Sequence, residues 1–158
     1  MVAILVTGER LVGKGIRAIE PVIEELILGA RREVHIASYR FGPGAEGILR
    51  SLETALESGV RVILVVNRFG EQPPGIRDWL TGLSARFGHV KVAEFASSQG
   101  QVLHAKVVVV DRSKAVISSA NLTWGGLVGN HEIGVLVDGE PAWQVASFID
   151  RLTESSET

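Results

Sequence analysis

Short apolar runs rich in valine and isoleucine recur along this chain, at Val2 to Val6, Val34 to Ala37, Val60 to Val66, Val90 to Phe95, Val102 to Val110, Ala115 to Ser118 and Ile133 to Val137. Their length and β-branched content predict strands. Between them, hydrophobic positions repeat at helical spacing. From Gly15 to Leu28, the residues Ile16, Ile19, Val22, Ile23, Leu26 and Ile27 form one stripe, and Ala45 to Glu57, Gly75 to Phe87 and Ala142 to Leu152 read as further helices. The first half alternates strand and helix, the second half is mostly strand, and a helix closes the chain. That order predicts an α/β fold, an α/β/α sandwich around a mixed, largely buried sheet. Val107 to Val110 is apolar on both faces, as a central strand would be, and the run ends at Asp111. Phe69 to Pro74 and Ser97 to Gly100 read as loops, the polar tail Thr153 to Thr158 as frayed, and no repeat divides the chain. One domain over residues 1–158 is the expectation.

Composition narrows the chemistry. A chain of 158 residues is long enough to bury roughly two thirds of the surface it exposes when unfolded. There is no cysteine, which rules out disulfides, thiolate nucleophiles and sulfur-ligated zinc. The start, Met1 to Thr7, lacks the basic residues and the apolar length of a signal peptide, and no stretch approaches a membrane span, so a cytoplasmic location is expected. The formal charge of −2 gives no global basic field, so a polyanionic partner must meet a local patch. Arg31 with Arg32, and Arg112 with Lys114, are the local concentrations, and a solvated turn explains them as well.

The polar residues from position 104 onward carry the candidate chemistry. His104 and Lys106 stand two apart, which in a strand puts imidazole and ammonium on one face. After the four valines comes Asp111, then Ser118-Ser119-Ala-Asn121, and finally Asn130-His131-Glu132. This pattern resembles the signature of the phospholipase D superfamily, His-x-Lys-x4-Asp followed by Gly-Ser-x-Asn, with Ser118 in place of the glycine. The short nuclease members of that family carry an acidic residue where Glu132 stands.

The resemblance implies a phosphodiesterase of the single-motif nuclease type that needs neither metal nor cofactor. His104 is then the nucleophile, forming a phosphohistidine, and Glu132 holds its other ring nitrogen. Lys106, Asn121 and Ser119 stabilise the phosphate oxygens. Asp111 belongs to the motif with a bracing role at the strand end. The serine at position 118 is expected to tighten the phosphate pocket slightly. Trp124, followed by Gly125-Gly126, is open between a flexible lip that stacks on a base and plain packing. Tyr39, Arg40 and Phe41 end the second strand, either lining the same cleft or packing at its rim.

A leaving oxygen departs well only if it receives a proton, so a second acid is needed. His89-Val-Lys91 mimics the motif, but Ala96 stands where the aspartate should, and His35 and His131 have no lysine two residues on. The resemblance therefore implies a homodimer in which the His104 side chains of two copies meet across a two-fold axis. The substrate expected is DNA or RNA. The alternatives are a phospholipid and a nucleic-acid-binding module that does not cut. Against the second stand the intact His104 and Lys106. A third reading comes from Gly8-Glu-Arg-Leu-Val-Gly13-Lys14-Gly15, which fits a P-loop except that Gly15 replaces the magnesium-binding hydroxyl residue.

Overall fold

The computed structural model describes residues 1–155. Eight strands, β1 (Val2–Thr7), β2 (Arg17–Ala18), β3 (Glu33–Ser38), β4 (Arg61–Asn67), β5 (Val90–Phe95), β6 (Lys106–Val110), β7 (Lys114–Ser118) and β8 (Glu132–Asp138), form one sheet. Four helices accompany it: α1 (Ile19–Leu28), α2 (Glu46–Glu57), α3 (Pro74–Arg86) and α4 (Glu140–Ser155). The strand order is β2-β1-β8-β7-β6-β3-β4-β5. Strands β3, β4 and β5 run parallel because helices connect them, whereas β6, β7 and β8 form an antiparallel meander. The sheet is therefore mixed, as the element order predicts.

Period-two alternation sorts the side chains onto two cores. Val34, Ile36, Leu64, Val66, Val108 and Val110 pack with α1, α2 and α3, while Ala37, Val65, Val107 and Val109 pack with Ala142, Ala146 and Ile149 of α4. Strand β6 is buried along its whole length, which makes it a stiff floor for what lies at its ends.

Several boundaries differ from the sequence reading. Helix α1 begins at Ile19 rather than Gly15, because Gly13, Lys14 and Gly15 all take positive φ (123°, 52° and 88°) and close a tight turn between Gly13 and Ile16. Strand β2 then follows and pairs with β1. The P-loop reading falls with that geometry: a turn and a strand separate the glycines from the helix, so no helix N-terminus faces the loop to bind phosphate. The strand expected from Val102 starts only at Lys106. Helix α4 continues to Ser155, so residues 153–155 are helical rather than frayed, with Thr153 buried; residues 156–158 lie outside the described residues.

Three of the four histidines contact other parts of the fold. His35 is fully buried under α4, where its Nε2 lies 3.1 Å from Asp150. Burial pushes its pKa below the ordinary value, against the pull of Glu33 and Asp150. His89 contacts the Leu56 carbonyl at 2.8 Å, and His131 lies against Gly8. Among the described residues, no helix is long and apolar enough to cross a membrane.

Candidate active site

The remaining histidine, His104, is exposed just before β6 begins. Lys106 is buried on the same side, and its Nζ lies 3.0 Å from His104 Nδ1 and donates to the His104 carbonyl at 2.8 Å. Burial lowers the Lys106 pKa, and the negative charge of Glu132 partly opposes this. Ser38 stands opposite Lys106 on β3. The lysine is thus a desolvated cation whose charge acts over short range with little screening.

Neighbouring chain segments fix this pair from several directions. The Tyr39 ring packs on the His104 ring at a centroid distance of 4.8 Å, and Lys106 Nζ stands 5.7 Å from the Tyr39 centroid. Tyr39 N donates to the Ala105 carbonyl at 3.1 Å. The Asn67 side chain accepts from Leu103 N at 2.8 Å, and the Gln72 amide donates to the Asn67 and Tyr39 carbonyls at 2.6 and 3.1 Å. Gln72 Oε1 also accepts from Phe41 N. Asn67 and Gln72 are both buried. Two polar side chains therefore hold the segments carrying Tyr39 and His104 together.

Sequence reasoning missed Asn67 and Gln72. A polar residue closing the buried run of β4 was a signal for Asn67; a glutamine in a loop was no signal at all. Of the Tyr39-Arg40-Phe41 group, only Tyr39 touches His104. Phe41 is fully buried core, and the Arg40 guanidinium stands 5.9 Å from the Tyr39 ring centroid.

The other motif residues come from β7, β8 and the turn between them. The Ser119 hydroxyl donates to one Glu132 oxygen, and Asn130 Nδ2 donates to the other at 3.2 Å. Asn121 Oδ1 is buried without a hydrogen-bond partner. The expectation that Glu132 holds the His104 ring is not met within the chain. Strand β7 separates β8 from β6, so Glu132 begins roughly 10 Å across the sheet, two strand spacings away, and its oxygens are taken by Ser119 and Asn130. Ser118 takes the place of the motif's glycine. It stands opposite Gly134, where an added Cβ would lie 2.6 Å from that of Ser118, so the missing glycine is compensated on the neighbouring strand.

Trp124 opens a single π-helical turn, Gly125–Gly129, rather than a flexible lip. The turn is pinned by a buried bond from the Thr7 hydroxyl to the Gly126 carbonyl at 2.7 Å. Among the described residues, no three or more metal-ligating side chains gather at one point.

Asp111 stands apart from this cluster, at the far end of β6 and roughly 17 Å of strand from Lys106. It takes φ 52° and accepts from the backbone N–H groups of Arg31, Arg32 and Glu33 at 2.9, 2.8 and 2.9 Å. Burial raises its pKa, but these bonds outweigh it and hold the carboxyl below its usual range. Its stabilisation is therefore present above the unfolded carboxyl pKa and is lost as pH falls through the folded one. Asp111→Asn keeps the tolerance for positive φ, removes the charge and replaces one of the two accepting oxygens with an NH2 donor. It is expected to cost about 2 kcal/mol, or about 5 °C in melting temperature at neutral pH. In calorimetry the gap to wild type should narrow under acid; a gap constant from pH 7 to pH 2 would contradict the charge argument.

Comparison with known proteins fits this architecture. A family profile described as "Cardiolipin synthase, PLD-like domain" matches residues 23–153. The DISARM protein DrmC of Bacillus paralicheniformis is 34% identical over 139 residues, covering 85% of this chain and 56% of that protein. The human 5'-3' exonuclease PLD3 is 30% identical over 126 residues, covering 71% of this chain and 25% of that protein. The chain thus spans about half or less of these relatives. Among solved structures, NucT from Helicobacter pylori superposes with a TM-score of 0.77 at 18% identity, covering 98% of this chain and 96% of that one. Nuc from Salmonella typhimurium gives 0.74 at 18%, covering 99% and 95%. At that identity these two establish the fold alone. With the profile matching most of its length, the chain belongs to the phospholipase D superfamily, of which it carries a PLD-like domain.

Proposed function

We propose that this chain is a metal-independent phosphodiesterase that cleaves nucleic acid through a phosphohistidine on His104 and works as a homodimer. One observation carries the reading: an exposed imidazole within hydrogen-bond reach of a buried ammonium, on a rigid strand end. A phosphate oxygen entering the site competes for Lys106 Nζ and frees the ring nitrogen it leans on. The ring lone pair attacks phosphorus, an N–P bond forms, and the P–O bond to the leaving group breaks as that oxygen takes a proton from an acid. Water then gives a proton back to the group that served as the acid and attacks phosphorus, which breaks the N–P bond and regenerates the imidazole. Lys106 and the Asn121 amide stabilise the charge gathering on the phosphate oxygens.

The acid is assigned to His104 of a second copy, because His35 is buried beside Asp150, His89 contacts the Leu56 carbonyl, and the exposed His131 has no lysine two residues on. A surface suited to a second copy lies on the α4 side of the sheet. Ile133, directly after Glu132, is 60% exposed, and Phe148 is 43% exposed beside an apolar notch of about 350 Å³ lined by Val107, Ile117 and Val145. Light scattering is expected to give the dimer mass, and a monomer that cleaves would refute this assembly.

The nucleic-acid assignment draws on similarity to the exonuclease PLD3. The family description points instead to cardiolipin synthase, so phosphatidylglycerol vesicles form the second arm of the test. Labelled DNA and RNA are expected to be cut at the same rate with and without EDTA, while the vesicles remain unchanged. Strict dependence on a divalent cation would overturn the mechanism, and turnover of lipid alone would overturn the substrate.

A further inference from the structure

Trp124 is 58% exposed, yet its backbone and ring are held on every side that touches protein. Its backbone N–H donates to the Pro43 carbonyl at 2.6 Å. Gly44, at φ 99°, comes so close that an added Cβ would lie 2.4 Å from Trp124 Cα. The six-membered part of the indole rests on the bare backbone of Gly129, where a Cβ would meet Cζ3 at 2.2 Å and Cη2 at 2.9 Å. Two glycines thus make room for one tryptophan, which then leaves more than half of its surface in water. Core packing does not account for that arrangement, because a packed indole hides its rings.

The position of the ring points to its ligand. The segment from Tyr39 to Gly44 touches His104 at one end and Trp124 at the other, and five residue steps span at most roughly 18 Å. Along the same path, Phe41 pairs with Leu122 and Gly42 N donates to the Leu122 carbonyl at 3.0 Å. A strand whose phosphate sits at His104 therefore brings a base to Trp124 within a few nucleotides. Duplex DNA holds its bases stacked on one another and presents no free base face to an indole. An unpaired base offers a free π-face.

We propose that Trp124 is a fixed stacking platform that selects single-stranded nucleic acid for the site at His104. The inference rests on the phosphodiesterase reading above and adds the strandedness of its substrate. Stacking a base on an aromatic side chain strengthens binding by about tenfold per base, whatever the base.

The test is fluorescence anisotropy in EDTA with cleavage disabled by His104→Ala. The probes are a labelled oligothymidylate, a strand of the same length with abasic residues, and a duplex. The oligothymidylate is expected to bind more tightly than the other two. Adding Trp124→Ala should weaken it by about tenfold and leave the abasic strand unchanged, while Trp124→Phe restores most of the affinity. Should Trp124→Ala fail to fold by circular dichroism, Trp124→Leu, which keeps apolar bulk without a π-face, takes its place with the same expectation. Equal weakening on base-bearing and abasic strands, no weakening, or a preference for duplex would each overturn the platform. Cleavage that survives His104→Ala would instead overturn the phosphodiesterase reading, and leaves the binding result to stand by itself.

Discussion

His104→Ala is expected to abolish cleavage, by about ten-thousandfold or more, with the fold intact. Removing a nucleophile eliminates the covalent route altogether, and what remains is whatever the phosphate-binding groups do for direct attack by water. The fold should survive because the ring is exposed and Lys106 keeps one of its anchors: its Nζ still donates to the backbone carbonyl of residue 104 at 2.8 Å. The variant should therefore melt within a few degrees of wild type and still bind substrate. The measurement is cleavage of end-labelled oligonucleotides by both proteins in EDTA. A phosphate-labelled substrate, quenched early, should also leave acid-labile label on wild type and none on the variant. Activity within tenfold of wild type would remove His104 from the mechanism, and with it the argument for a second copy.

Gly126→Ala is expected to have the next largest effect, although Gly126 carries no chemistry. A Cβ there would lie 2.0 Å from the Asn121 carbonyl oxygen and 2.7 Å from Asn121 N, and neither atom belongs to a flexible side chain. The π-helical turn must open to admit it. That opening strains the buried bond between Thr7 and the Gly126 carbonyl and displaces Asn121 at the same time. Overpacking of this kind costs about 3 kcal/mol, which lowers the melting temperature by about 10 °C. Below that temperature turnover should fall by about a hundredfold, the effect of moving a substrate-contacting group by roughly an ångström. Gly82→Ala is the control, since nothing lies within 4 Å of its added Cβ in α3, and its stability should stay level or rise. Wild-type turnover in Gly126→Ala would separate the turn from the placement of Asn121.

Much of the architecture was legible because it rests on local periodicity. Most of the valine-rich runs became strands, the start of the one from Val102 excepted, and the stripe in α1 specifies the helix that covers them. The pairing of His104 with Lys106 follows from a spacing of two, and the structure keeps them together although His104 lies outside β6. Where the reading failed, a backbone detail had overridden the pattern. Three consecutive positive φ values at Gly13, Lys14 and Gly15 turned an expected helix start into a tight turn, and with it ended the resemblance to a P-loop. The residues that brace the site were harder to see. Gln72 reaches Tyr39, Phe41 and Asn67 at once, yet in the sequence it is one glutamine in a loop.

By itself, then, the sequence determined the elements, the sandwich of helices on a mixed sheet and the residue set from His104 to Glu132, because each depends on spacing along the chain. Only the tertiary structure decided how that set is divided. Strand β7 lies between β6 and β8, so Glu132 is bonded by Ser119 and Asn130 rather than by His104. Asp111 sits at the opposite end of its strand, bracing the start of β3. Tyr39 from β3 takes the place beside the imidazole, and Gly44 and Gly129 hold Trp124 out in water. The physical reason is common to all four. Contacts across a sheet are set by strand order and by close backbone approach, and neither leaves a periodic mark in the sequence.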